Sequence, residues 1–202
     1  MINEILYLDL PLLPVDLETN LIKIANEIPA DLQGKEWIEE YHGWTIKAAS
    51  HVYGRSNTFL NHEMTAEIQQ LYSGYFGEEL IGIVGNLTNT YASGVVNVPP
   101  HCDRHRLVSI NYILQSGGDD VLTCFYKEGR TGKDYTEAEN KQYNEVTLDY
   151  KICIPERTWH SYNVQNYHSV ENIKGTRLIF SLVLTSNPSF ETFRKKYRDL
   201  IK

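Results

Sequence analysis

The sequence predicts a mainly β domain, a sandwich or barrel, supported by helices near its N-terminus. Apolar residues recur at helical spacing only within about the first 75 residues. From about residue 80 onward, short apolar or β-branched runs such as LIGIV, LVSINYIL and TRLIFSLVL alternate with clusters of Gly, Asn, Asp and Pro. None of these runs is followed by a helix in the manner of a β-α-β unit, so a doubly wound parallel sheet is not expected.

Two packing helices are expected in the N-terminal part. The first covers Asp16–Ile28, with Asp16 placed to cap it and Pro29 to end it, and the second runs from about Asn61 to Tyr72. A third, short helix opens near residues 187–189 and continues towards Leu200. We therefore expect one domain over 1–202, divided into a helical support region (1–78), a β core (79–186) and a C-terminal helix (187–202).

One long hydrophilic segment, Lys127–Glu145, interrupts the predicted strands. Loops of that length inside a compact domain are usually functional or disordered. The segment is a candidate substrate lid, and a solvated insertion is the alternative interpretation.

Composition excludes several functions. The net charge of −7, without a basic stripe, argues against a nucleic-acid partner. The three cysteines have no metal-type spacing, and their odd number gives no disulfide framework. The N-terminus lacks the features of a signal peptide, and no apolar run is long enough to cross a bilayer, so we expect a cytoplasmic protein without a membrane partner.

A candidate metal site lies in the second half of the chain. His101 and Asp103 form His-x-Asp in VPPHCDRHR, and His168 lies in NYHSVEN. Residues i and i+2 of a strand share a face, so His101 and Asp103 can reach one point while Cys102 faces away. Two imidazoles and one carboxylate can bind one face of an Fe(II) ion and leave the other face open for oxygen and a chelating co-substrate.

Arg177 begins the last strand, nine positions after His168 (177 − 168). Alternation places Arg177, Ile179, Ser181 and Val183 on one face of this strand and four large apolar residues on the other. Because burying an unpaired guanidinium is costly, Arg177 needs a partner. That partner is either a structural Asp or Glu or the carboxylate of a bound ligand such as 2-oxoglutarate, and the nearby His-x-Asp and His favour the ligand.

His160 competes with His168 for the place of third ligand. It stands 17 positions before Arg177 (177 − 160), which is too far for a simple hairpin to bring both into one pocket. The sequence therefore favours His168, and His160 is expected to be a half-buried or surface imidazole.

These residues, with their flanks, carry a resemblance to a known family. The run Tyr91-Ala-Ser-Gly94, Pro99-Pro100-His101-Cys-Asp103, Ser109–Leu114 and Tyr167–Asn172, followed by Arg177, resembles the Fe(II)/2-oxoglutarate-dependent oxygenases, most closely their prolyl-hydroxylase-like branch. The likeness covers about half of the chain, from Tyr91 to Leu184. It implies a double-stranded β-helix, which is a cupin-like jelly roll, flanked by N-terminal helices.

The resemblance also implies roles for single residues. His101, Asp103 and His168 take the places of the iron ligands, and Arg177 that of the anchor for the distal carboxylate of 2-oxoglutarate. Tyr91 and Tyr112 take the places of tyrosines that line the co-substrate pocket, although strand alternation also allows Asn111 and Ile113 on the inner face instead of Tyr112. Arg106 resembles a position near the substrate.

The activity implied is hydroxylation of an unactivated C–H bond with Fe(II), 2-oxoglutarate and O2, giving succinate and CO2. Peptidyl proline, a free amino acid and a small metabolite all remain open as the primary substrate. Two alternatives are a metal-binding cupin enzyme that does not use 2-oxoglutarate, and a jelly-roll binding protein in which the three residues hold no iron.

Overall fold

A computed structural model of the chain describes eight stretches of residues: 5–27, 38–41, 44–48, 55–59, 62–88, 94–103, 106–130 and 139–202. Within them lie three α-helices, α1 Val15–Glu27, α2 His62–Phe76 and α3 Phe190–Lys196. Among these described residues, no helix combines the length and the apolar composition that crossing a membrane requires.

The strands form two antiparallel sheets. The larger sheet has the order β1-β11-β7-β13-β5-β4-β3-β2, and the smaller has the order β10-β8-β12-β6-β9. The strand bounds are β1 Leu6–Tyr7, β2 Ile38–Tyr41, β3 Trp44–Ala48, β4 Arg55–Phe59, β5 Leu80–Thr88, β6 Val96–Cys102, β7 Val108–Gln115, β8 Leu122–Gly129, β9 Glu139–Asn140, β10 Leu148–Ile152, β11 Trp159–Asn163, β12 Asn166–Ile173 and β13 Thr176–Leu184.

The order of the strands is that of a jelly roll. Along the chain, β5, β7, β11 and β13 enter the larger sheet, while β6, β8, β10 and β12 enter the smaller one. From β5 onward the chain thus crosses between the sheets at six of its eight connections. The predicted mainly β fold with a double-stranded β-helix is confirmed, and each strand predicted after residue 80 is present.

The main hydrophobic core covers the outer face of the larger sheet. Leu178, Phe180, Leu182 and Leu184 of β13 pack there with the buried side of α1 and α2 and with Phe193 of α3. Because alternate residues of a strand face opposite sides, Arg177, Ile179, Ser181 and Val183 must point the other way, between the two sheets. We call the space between the sheets the interior.

The N-terminal part differs from its prediction. Both expected helices are present, α1 beginning at Val15 and α2 continuing to Phe76. However, β2, β3 and β4 extend the larger sheet beyond β5, so the region predicted to be helical also contributes strands. Short polar strands such as IEEY and RSNTF lack the apolar runs by which the other strands were recognised. Pro29 lies outside the described residues.

The structure describes both ends of the hydrophilic segment Lys127–Glu145. Strand β8 continues to Gly129, β9 pairs with β6 next to His101, and a short 3-10 helix covers Tyr143–Glu145. Residues 131–138 lie outside the described part of the chain, so the expectation of a substrate lid falls largely on residues that the structure does not describe.

The two ends of the described chain meet. Leu8 and Ile201 form an isolated antiparallel bridge, and the amide of Asp9 donates to the carbonyl of Leu200 at 2.7 Å. The C-terminal helix is short: Ser189 caps α3 by accepting from the amide of Thr192, and a 3-10 helix follows at Arg198–Leu200. This contact places β1 at the edge of the larger sheet, beside β11.

Candidate metal centre

His101, Asp103 and His168 come together in the interior. The strand β12 pairs with β6 so that His168 lies directly opposite His101, and Asp103 follows the end of β6. The three potential ligand atoms all lie within 4.8 Å of one another, and all three residues are buried. The structure thus assembles the predicted triad from residues 67 positions apart (168 − 101).

The distances suit a single ion. Oδ1 of Asp103 lies 3.5 Å from Nε2 of His101 and 3.7 Å from Nε2 of His168. Ligand atoms about 2.1 Å from a shared metal and at right angles around it are roughly 3 Å apart. A small inward movement of these side chains would therefore place one oxygen and two nitrogens around one cation.

Backbone carbonyls fix the orientation of both imidazoles. Nδ1 of His101 lies 2.9 Å from the carbonyl of Pro99, and Nδ1 of His168 lies 3.1 Å from that of Asn166. A nitrogen that donates to a carbonyl carries the proton, so Nε2 of each ring keeps its lone pair and faces Asp103. This arrangement, in which an outer carbonyl sets the tautomer of the ligand, is the usual one at metal-binding histidines.

Arg177 lies in the interior, and none of the described residues offers it an anionic partner. Its side chain is 5% exposed, and Nη1 donates to the carbonyl of Ser116 at 3.0 Å. Nε is buried with no hydrogen-bond partner, and no carboxylate of the described residues forms an ion pair with Arg177. Burial lowers the pKa of Arg177 to about 10, so the guanidinium remains charged at neutral pH. The site therefore holds an uncompensated positive charge, which favours an anionic ligand.

Tyr162 connects the triad with Arg177. Its ring lies edge-on to His168 at 5.2 Å and to Phe125 at 5.1 Å, so it bridges the two sheets. Burial raises the pKa of Tyr162, and the charge of Asp103 raises it further, whereas Arg106 and Arg177 act in the opposite direction. The charges of Asp103 and Arg177 thus both act on the pKa of Tyr162, as expected if the triad and the guanidinium face the same interior.

Tyr112 does not face this interior, and the prediction that it binds the co-substrate was wrong. It is fully buried in the main hydrophobic core, where its ring packs against Trp159 at 5.0 Å. Its hydroxyl lies 3.4 Å from Oε2 of Glu18 in α1, on the outer side of the larger sheet. The neighbouring Asn111 takes the inner face instead, which is the alternative that strand alternation allowed. Tyr91 lies outside the described residues.

The expectation for His160 was also wrong. Its exposed fraction is 2%, and burial lowers the pKa of its imidazole to about 4, with the charge of Arg177 acting in the same direction. Spacing along the chain misled the prediction, because β11 and β13 are not neighbours in a hairpin but pair with opposite edges of β7. His160 lies opposite Asn111, which in turn lies opposite Ser181.

A polar row therefore lines the inner face of the larger sheet, and most of its residues were not predicted from the sequence. Oγ of Ser181 donates to Oδ1 of Asn111 at 2.8 Å, and the ring of His160 stacks parallel to Tyr162 at 6.1 Å. The signal was present in the alternation of TWHSYNV, which sets His160 and Tyr162 on one face and Trp159 on the other. The sequence did not show which of the two faces points to the interior, because that depends on the pairing of β11 with β7.

Comparisons with known proteins give structural likenesses only. No family model matches the sequence, and no curated protein matches it. The epimerase SnoN, solved with Fe3+, alpha-ketoglutarate and nogalamycin RO, is 12% identical over 89% of this chain and 78% of its own, with a TM-score of 0.49.

Two further solved structures match over most of their length. A Pseudomonas putida prolyl-4-hydroxylase is 15% identical over 90% of this chain and 91% of its own, with a TM-score of 0.46. AviO1 from Streptomyces viridochromogenes is 12% identical over 88% and 89%, with a TM-score of 0.48. By its own strand order the chain is a jelly roll, and it holds a buried His-Asp-His cluster.

Proposed function

We propose that the chain is an Fe(II)- and 2-oxoglutarate-dependent dioxygenase that hydroxylates an unactivated C–H bond. The observation that carries the proposal is the combination, in one interior, of a buried His-Asp-His cluster with a buried Arg177 that pairs with no carboxylate of the described residues. The cluster is the donor set expected for non-haem iron with open positions, and the guanidinium supplies a matching site for a carboxylate.

The residues present fit both the ion and the co-substrate. His101, Asp103 and His168 would hold the iron, with their Nε2 atoms and Oδ1 already directed towards one another. Arg177 would bind the distal carboxylate of 2-oxoglutarate, which would satisfy the Nε that has no partner among the described residues. When bound, the iron and 2-oxoglutarate supply the activation of O2, with succinate and CO2 as co-products.

The remaining interior residues orient the co-substrate and exclude water. Tyr162 contacts the rings of Phe125, His160 and His168 in the interior. Because His160 is neutral at pH 7, it adds no second positive charge to that of Arg177. The primary substrate is left open, since no described residue distinguishes a peptidyl proline from an amino acid or a small metabolite.

The test is an anaerobic titration of the protein with Fe(II), with and without 2-oxoglutarate, monitored by the weak visible charge-transfer band of the chelate. The wild-type protein should bind one equivalent of Fe(II) and develop the band. The Arg177→Gln variant should need much more 2-oxoglutarate to do so. Arg157→Gln is the matched control, because Arg157 is half-exposed and pairs with Glu18 outside the interior.

The alternatives predict other results. Fe(II) binding without the band would favour a cupin enzyme that does not use 2-oxoglutarate. Absence of Fe(II) binding would favour a binding protein, and His101→Ala should then leave ligand affinity intact. Succinate formed in the presence of O2 would support the dioxygenase directly.

A further inference from the structure

The two carboxylate oxygens of Asp103 lie in different surroundings. Oδ1 faces the imidazoles of His101 and His168, at 3.5 and 3.7 Å. Oδ2 instead accepts from Nε of Arg106 at 2.7 Å and lies 2.6 Å from a second guanidinium nitrogen of the same residue. Both contacts from Arg106 thus converge on the oxygen that is not directed at the metal site.

Hydrogen bonds join the backbone of both Asp103 and Arg106 to one turn, at Val164 and Gln165. The side-chain amide of Gln165 donates to the carbonyl of Arg106 at 2.6 Å and to the carbonyl of Asp103 at 3.1 Å. The amide of Asp103 donates to the carbonyl of Val164 at 3.0 Å. Val164 and Gln165 connect β11 with β12, the strand that carries His168. The hairpin that delivers His168 therefore also sets the position of Asp103 and Arg106.

A carboxylate can bind a metal through one oxygen or through both. An octahedral ion held by two imidazoles and one carboxylate oxygen keeps three positions open, which are enough for a two-point chelate and for O2. A second oxygen from the same carboxylate would occupy one of these positions. Charge-assisted hydrogen bonds from a guanidinium are among the strongest that a carboxylate oxygen can accept, so they compete with the metal for Oδ2.

We propose that Arg106 is a positioning residue that restricts Asp103 to one-oxygen ligation and so keeps the metal open for 2-oxoglutarate. The inference rests on the proposed function and assigns Arg106 a role different from the substrate contact that its position in the sequence suggested. Arg106 acts through Asp103 and does not contact the co-substrate.

The experiment compares wild type, Arg106→Gln, Arg106→Lys and Arg130→Gln. Arg130 is a matched control because it is also an arginine next to Asp103, and its Nη2 donates to the backbone carbonyl of Asp103 at 3.1 Å. Each protein is titrated anaerobically with Fe(II) and then, at saturating Fe(II), with 2-oxoglutarate, and its unfolding temperature is recorded. Absorption of the Co(II)-loaded proteins before 2-oxoglutarate is added reports the ligand arrangement around the metal.

In Arg106→Gln, 2-oxoglutarate should bind about tenfold or more weakly, an effect of the size typical of a lost outer partner of a metal ligand. The Fe(II) affinity should change much less. Asp103 loses the hydrogen bonds that hold its carboxylate in place, but its freed Oδ2 can then bind the metal as a second ligand atom. The Co(II) spectrum should shift in the same variant. Arg106→Lys should recover part of the 2-oxoglutarate affinity, and Arg130→Gln should resemble wild type in both titrations.

Other outcomes separate the inference from the proposed function. If wild type binds neither Fe(II) nor 2-oxoglutarate, the proposed function and the inference fail together. If wild type binds both and Arg106→Gln has the same 2-oxoglutarate affinity and Co(II) spectrum, the inference alone is overturned. A parallel loss of Fe(II) affinity, 2-oxoglutarate affinity and unfolding temperature would show that Arg106 only supports the fold, which also overturns the inference.

Discussion

His160 should make the stability of the protein depend on pH. Its imidazole is buried, and burial lowers its pKa from 6.5 to about 4, with the charge of Arg177 acting in the same direction. In the unfolded chain the same group takes up a proton near pH 6.5. The folded state then binds fewer protons than the unfolded state between pH 4 and 6.5. The contribution of His160 is therefore fully present above pH 6.5 and is lost as pH falls through this window.

The size of the effect follows from the two pKa values. At pH 5, protonation of the unfolded chain alone should lower the free energy of unfolding by about 2 kcal/mol relative to pH 7. The substitution His160→Phe keeps a ring in the interior and removes the titrating group. It should cost about 1 kcal/mol at pH 7, because the carbonyl of Thr158 loses the hydrogen bond that it accepts from Nδ1 at 3.1 Å.

Urea unfolding, followed by tryptophan fluorescence at pH 7, 6 and 5 without metal, measures both quantities. The loss of stability between pH 7 and pH 5 should be about 2 kcal/mol smaller in His160→Phe than in wild type. Taking the difference between the two proteins removes the contributions of the other histidines. An equal pH dependence in both proteins would refute the burial and neutrality assigned to His160.

Four further outcomes are expected. Tyr112→Phe should leave the 2-oxoglutarate affinity of the Fe(II) form unchanged, because its hydroxyl lies near Glu18 on the outer side of the larger sheet; a large loss measured by titration would contradict that position. Gly117→Ala should lower the urea midpoint, since Gly117 has φ +86° and a Cβ would lie 3.1 Å from Cγ2 of Ile173 and 3.2 Å from Cβ of Arg177. Phe180→Ala should cost about 3–5 kcal/mol in urea unfolding, because this fully buried ring leaves a cavity in the main core. Fe(II) affinity, measured by anaerobic titration, should fall as the pH is lowered, since imidazole ligands must be neutral, and constant affinity well below about pH 6 would argue against the two histidines.

Local patterns were sufficient for the fold after residue 80. Alternation in TRLIFSLVL separated Arg177 from the apolar residues that pack in the main core, and this separation is present in the structure. The same rule placed His101 and Asp103 on one face. Such predictions succeed because the side-chain direction in a strand depends only on the parity of its residues.

Pairing between distant strands could not be predicted in the same way. Parity alone left Tyr112 and Asn111 undecided, and the choice depends on which face of β7 meets α1 and α2. His160 was misjudged because its distance from Arg177 was counted along the chain. In the structure β11 and β13 both pair with β7, so His160 lies opposite Asn111, which lies opposite Ser181 on the strand that also carries Arg177. The short polar strands β2 and β4 lacked the apolar runs by which the later strands were recognised.

The antiparallel pairing of β5 with β13 also affects how the chain folds. Leu80 pairs with Leu184, 104 positions away (184 − 80), and this register continues along both strands. Closing such long loops costs entropy before any contact is gained, so chains dominated by distant pairings fold slowly. During synthesis, β13 must leave the ribosome before it can pair with β5 and β7 and complete the larger sheet. Partly synthesised chains consequently expose the edge of β5, and their folding is more exposed to aggregation than that of a helical bundle of similar size.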